Sequence, residues 1–262
     1  MNKALASGIF IISMFIGVGV FLYPLILPAV SQSTNSLGGD FQQSQALTMV
    51  LLTLTIGVLL LEMQGQTTSA KTIAAMGLLI AATSVLRFIE VAIPGPGGFS
   101  PIFVPIIIAG YVFGARFGFL MGSLTMLVSA LLTGGVGPWL PYQMFAVGWV
   151  GLTAGLLPQI ENPIAQITML AVFAFIWGLL YGLLMNLYYW PFLSSAVSES
   201  AETVQRFGAT LANYGAFYLA TSFVWDLTRG IGNLVLMIAL GLPAVRALER
   251  FRDIFRFEVV YG

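Results

Sequence analysis

Arg87 and Glu90 stand three residues apart in the apolar run VLRFIEVAIP, and Asp226 and Arg229 repeat that spacing in FVWDLTRGIGN. Residues three apart are neighbours on one helix face, so each motif sets a cation beside an anion. An ionisable group in hydrocarbon costs roughly 3 kcal/mol on insertion scales, and it persists where it pairs, lines a path or binds something. Two roles fit the four residues. They bind or gate a polar solute, or they lock helices together, either as two intrahelical ion pairs or as the crossed pairs Arg87–Asp226 and Arg229–Glu90. The spacing leaves both roles open, and both can hold at once.

Other chemistries are poorly supplied. The chain has no cysteine and no histidine. That removes thiolate and imidazole metal sites, His-ligated haem, disulfides and any Ser-His or Cys-His dyad, so neither an enzyme nor a resident cofactor or metal is expected. The run GQTTSAKT at 65–72 approaches a phosphate loop, but Ala70 stands where the second glycine is needed and no strand precedes it. The LGGD run at 37–40 lies between apolar segments and lacks the setting of an intramembrane aspartyl protease. A net charge of zero, with no basic block among aromatics, speaks against nucleic acid.

The elements that must position these residues are membrane helices. Hydrophobic residues make up 58% of the chain and charged ones 8%, against about a quarter charged in soluble domains. With about 20 apolar residues needed per span, the expected fold class is all-α, a polytopic membrane protein of about eight helices. The segments are 4–30, 47–63, 71–93, 101–114, 116–134, 140–158, 163–193 and 213–242. The fourth is short, which implies tilt, a bend at Pro105, or fusion with its neighbour around Arg116. The first resembles a signal peptide, but its apolar run exceeds the usual length of about 7–15 residues, so it is read as a retained span.

With the N-terminus inside, Lys3, Lys71, Arg116, Arg246, Arg250, Arg252 and Arg256 fall on the cytoplasmic side and Arg206 alone outside. This positive-inside asymmetry predicts a plasma-membrane protein with both termini cytoplasmic. It also brings all four intramembrane charges to the outer half of the bundle. Asn186 ends the seventh span on that side beside Tyr188, Tyr189 and Trp190, rings that also suit an interfacial belt. Three divisions are expected: an N-terminal two-helix extension over 1–70, a six-helix core over 71–242, and a cytoplasmic segment over 243–262. In the last, LPAVRALERFRDIFR separates apolar residues from arginines, as in an interfacial helix or a partner surface. The outer stretch 194–212 has the pattern of an amphipathic surface helix.

Gly110, Gly114, Gly118 and Gly122 recur every four residues, and Gly148, Gly151 and Gly155 follow. Small residues at this spacing let helix backbones approach closely. Ala74, Gly77 and Ala81 give the third span a similar face.

The runs Gly110-Tyr111-Val112-Phe113-Gly114-Ala115-Arg116-Phe117-Gly118, Leu131-Leu132-Thr133-Gly134-Gly135-Val136-Gly137-Pro138-Trp139-Leu140-Pro141-Tyr142-Gln143 and Gly148-Trp149-Val150-Gly151-Leu152-Thr153-Ala154-Gly155 resemble the S-components of energy-coupling factor (ECF) transporters. Within that group they look most like the cobalamin-type subset, over residues of about 71–242. The resemblance implies a membrane subunit that captures a vitamin, cobalamin first, from outside and hands it to a T-component carried on two ATPases. It implies lids at 94–100 and around 191–212. It also implies that the face of Ala74, Gly77 and Ala81 meets the T-component, although Gly77 departs from the family's Ala-x-x-x-Ala pattern. A vitamin with amide and phosphate groups would then be held by Arg87 or Arg229 and by Gln143, with Phe99 and Trp139 over its apolar part. Glu90, Asn186 and Asp226 complete the expected substrate site. The helix pair before residue 71 is additional to the six-helix core. The alternatives are an ion-coupled secondary transporter or channel using Glu90 and Asp226, and a scaffold that transports nothing.

Overall fold

The computed structural model describes residues 3–30, 50, 57, 70–93, 95, 97–190 and 203–256. Those residues form helices α1 (Lys3–Val30), α2 (Ala70–Ala92), α3 (Phe103–Phe113), α4 (Ala115–Thr133), α5 (Leu140–Ala154), α6 (Pro163–Tyr189), α7 (Thr203–Thr221) and α8 (Phe223–Arg256). The fold is all-helical among the described residues, as a polytopic membrane protein requires. Among the described residues four helices, α2, α4, α6 and α8, are long and apolar enough to cross a bilayer. The expected span 47–63, the loop 31–46 and the loop 191–202 lie wholly or almost wholly outside the described residues.

The fourth expected span is not a crossing helix. At 1.5 Å per residue, the 11 residues of α3 reach only about 16 Å. Nine of them are buried, and Ile106, Ile107 and Ala109 are fully enclosed. The helix does not merge with α4, which starts after Gly114. Pro105 lies in the first turn, where its missing N–H has no helical partner to lose. The chain then reverses at Gly114, whose φ of 97° is open to glycine and strained for other residues.

Helices α4 and α5 pack backbone against backbone. A Cβ on Gly151 would strike the carbonyl of Gly118, and one on Gly118 or Gly110 would strike the carbonyl of Gly151, so three backbones meet at one point. Ser123 Oγ donates to the Met144 carbonyl at 3.0 Å across the same seam. Helix α6 starts on Asn162, whose side chain accepts from the N–H groups of Ile164 and Ala165, with Pro163 at the first helical position. Helix α8 packs antiparallel to α6, with Gly178 against Gly230 and the Asp226 carboxyl against Gly182.

Helix α1 belongs to the packed core. Phe21 is 1% exposed and meets the rings of Tyr142 and Trp149, while Phe10 meets Phe119. Two boundaries differ from expectation at the C-terminal end. The span over 213–242 is interrupted at Ser222, between α7 and α8. The segment from 243 is no separate helix, because α8 continues through Pro243 to Arg256. There Phe251 meets Phe113, and Arg252 Nη1 donates to the carbonyl of Val112 at 3.3 Å. That bond satisfies one of the orphan carbonyls at the end of α3.

A candidate solute cavity at one end of the bundle

The C-terminal turns of α2 and the N-terminal turns of α8 lie at the same end of the bundle, and a cavity of about 200 Å³ opens between them. Arg87 and Glu90 enter it from α2, and Arg229 enters from α8. Gln143 comes from α5, Tyr181, Met185 and Tyr189 from α6, and Gly98 and Ser100 from the loop before α3. Ile102, Phe103 and Met126 supply the apolar part of the lining.

Both ion pairs are intrahelical, Arg87 with Glu90 and Arg229 with Asp226; the crossed arrangement is not adopted. Ser100 Oγ donates to Glu90 Oε2 at 2.6 Å and lies 3.5 Å from Arg87 Nη1. The loop is thereby tied to the α2 charges. Arg229 Nη1 also donates to the Gly178 carbonyl at 3.4 Å, and its guanidinium lies over the Tyr181 ring at 5.2 Å from the centroid. This cation–π contact fixes the plane of the guanidinium against one wall. The Tyr181 ring is held in turn by an edge contact with Phe103. The same loop lies along α8. Gly97 and Gly98 pass so close to Thr228, the Trp225 backbone and Arg229 Nη2 that a Cβ on either glycine would collide.

A family profile described as "ECF transporter, substrate-specific component" matches residues 71–241. The chain belongs to that family. No curated protein and no solved structure matches it. Members of the ECF substrate-specific family are subunits of transporters, and the matched region runs from the start of α2 to within α8, containing the whole cavity.

Within this ECF component, four of the eight expected site residues line the cavity: Arg87, Glu90, Gln143 and Arg229. The other four are placed elsewhere. Asp226 is 2% exposed and sits behind Arg229 against Gly182. Phe99 fills the notch over Gly232 and fastens the loop to α8. Trp139 is 36% exposed and folds over Gly137 in the α4–α5 turn. Asn186 accepts from Ser222 Oγ at 3.1 Å and bridges α6 to the break between α7 and α8. Sequence reasoning passed over Ser100 and Tyr181. A hydroxyl next to a glycine-rich loop and a lone tyrosine in the apolar run FIWGLLYGLL were the available signals.

The T-component face expected at Ala74, Gly77 and Ala81 is exposed on α2 among the described residues, none of which lies within 4 Å of a Cβ built on Gly77.

Proposed function

We propose that this ECF component captures a vitamin-sized solute in the cavity between Arg87, Gln143 and Arg229, and that a T-component with two ATPases drives its uptake. The observation that carries the reading is the gathering of charged and hydrogen-bonding side chains from four helices and one loop around a single cavity. A feature of this kind, polar groups converging in an otherwise apolar pocket, is the usual form of a small-molecule site. The positive-inside asymmetry turns that end of the bundle outward and puts both termini in the cytoplasm. The loop through Gly98 and Ser100 then serves as the lid, and the exposed face of Ala74, Gly77 and Ala81 on α2 as the T-component contact.

Cobalamin is the first vitamin to test, on the resemblance of the 131–143 run to the cobalamin-type subset. The ion-coupled alternative is weaker, because Glu90 and Asp226, the carboxylates it would use, are each held by an arginine on the same helix.

Mass spectrometry of small molecules released from the purified protein tests the reading. A single vitamin-sized solute in near-stoichiometric amount is expected. Empty protein that also binds nothing from a vitamin panel would contradict it.

A further inference from the structure

We infer that Arg246 and Arg250, at the end of α8 away from the cavity, bind the phosphate of an anionic phospholipid whose acyl chains lie along the same helix. The two side chains are exposed and stand one turn apart. Among the described residues neither makes a hydrogen bond or an ion pair. Of the carboxylates on the same turns, Asp253 accepts from Arg252 Nε at 3.1 Å, while Glu249 is more covered than the arginines and pairs with neither. Three arginines and two carboxylates leave 246–253 one charge positive, and the unpaired cations are the two that face outward.

Depth decides what they meet. The open side of α8 carries Trp225, Ile231, Val235 and Ile238, each about half exposed. No charged residue stands between Arg229 and Arg246. At 1.5 Å per residue, Trp225 and Arg246 lie about 32 Å apart along the helix, against about 30 Å for the hydrocarbon core of a bilayer. Trp225 then stands at one interface, where tryptophan is favoured, and Arg246 at the headgroup level of the other leaflet, with Arg250 a turn beyond. A guanidinium at that level can take two phosphate oxygens in parallel bonds, and the chains below follow Val235 and Ile238. The platform is fixed: Val245 is 1% exposed, Phe251 meets Phe113, and Arg252 donates to the Val112 carbonyl. Those contacts use the covered side of these turns to hold α8 on α3 and leave the outward pair to the bilayer. The apolar surface runs without a charge into the pair, which favours a lipid over a partner protein.

Native mass spectrometry of the full chain released from nanodiscs tests this, with phosphatidylglycerol as the minor lipid in phosphatidylcholine. Phosphatidylglycerol should be enriched on the protein over its share of the disc by up to roughly thirtyfold, or about fivefold for each arginine. Arg246→Gln with Arg250→Gln should abolish the enrichment. Arg116→Gln, which removes one exposed charge from the same end of the bundle, should keep it. Millimolar inorganic phosphate should not displace the lipid, because the chains hold it along α8. No enrichment on the unaltered protein would overturn the inference even if the double variant fails to fold. So would equal loss in Arg116→Gln, which would mean diffuse positive charge rather than a site, or displacement by inorganic phosphate. Loss of the T-component and ATPases from the double variant, with no lipid enriched on the unaltered chain, would assign the pair to a partner protein and overturn it as well.

Discussion

The glycines of α3, α4 and α5 and the small residues of α2 share nearly the same spacing, yet they end in opposite surroundings. Gly110, Gly118 and Gly151 press backbone on backbone, and any Cβ there meets a carbonyl. Ala74, Gly77 and Ala81 face away from the protein. Spacing alone permits close approach; whether the approach is made depends on what stands opposite. In α4 and α5 the partner is the adjacent helix of the same chain, delivered by a short turn. On α2 none is supplied among the described residues, and the proposed partner is the T-component. The closed stripe joins α4, which brings Met126 to the cavity, to α5, which brings Gln143.

Three substitutions probe this difference. Gly151→Val should have the largest effect, because the atoms nearest its Cβ are Gly118 backbone. Overpacking that side chains can absorb costs about 1–3 kcal/mol, and here α4 and α5 would have to separate. Loss of monodisperse protein on size exclusion is expected, and a normal elution profile would break the comparison. Gly17→Ala should be intermediate. Its Cβ meets the rings of Phe145 and Trp149 at 2.9–3.1 Å, and rings can tilt. A fall in Tm of roughly 2–4 °C, matching about 1 kcal/mol, is expected in detergent. Gly77→Leu should leave stability within about 0.5 kcal/mol. A large drop in its Tm would mean that the α2 face is packed within the fold.

Much of the architecture is legible in the sequence because apolar length and Gly/Pro punctuation are local signals. Gly114 and the Asn162-Pro163 pair mark ends that the structure keeps. The break at Ser222 has no such marker. It arises from tertiary bonds: the Tyr214 and Tyr218 hydroxyls donate to the carbonyls of Leu183 and Leu179 on α6, and Ser222 donates to Asn186. Pro243 misleads in the other direction. It reads as a stop, yet α8 passes through it because Val245 is buried in the core and Arg252 is anchored on α3. The charged half of the site was visible as intramembrane ionisable residues. Its walls were not, since Ser100 and Tyr181 acquire their roles only when the loop folds onto α8 and α6 is brought up beside Arg229.

ATP-driven uptake in proteoliposomes tests the central claim most directly. The vesicles carry the chain with its T-component and ATPase pair, and the solute recovered from the purified protein is followed. Uptake should require ATP and the partners, resist a protonophore, and fail with the folded Gly77→Leu variant. Uptake by the chain alone, or uptake that collapses with the proton gradient while ATP is present, would contradict the account.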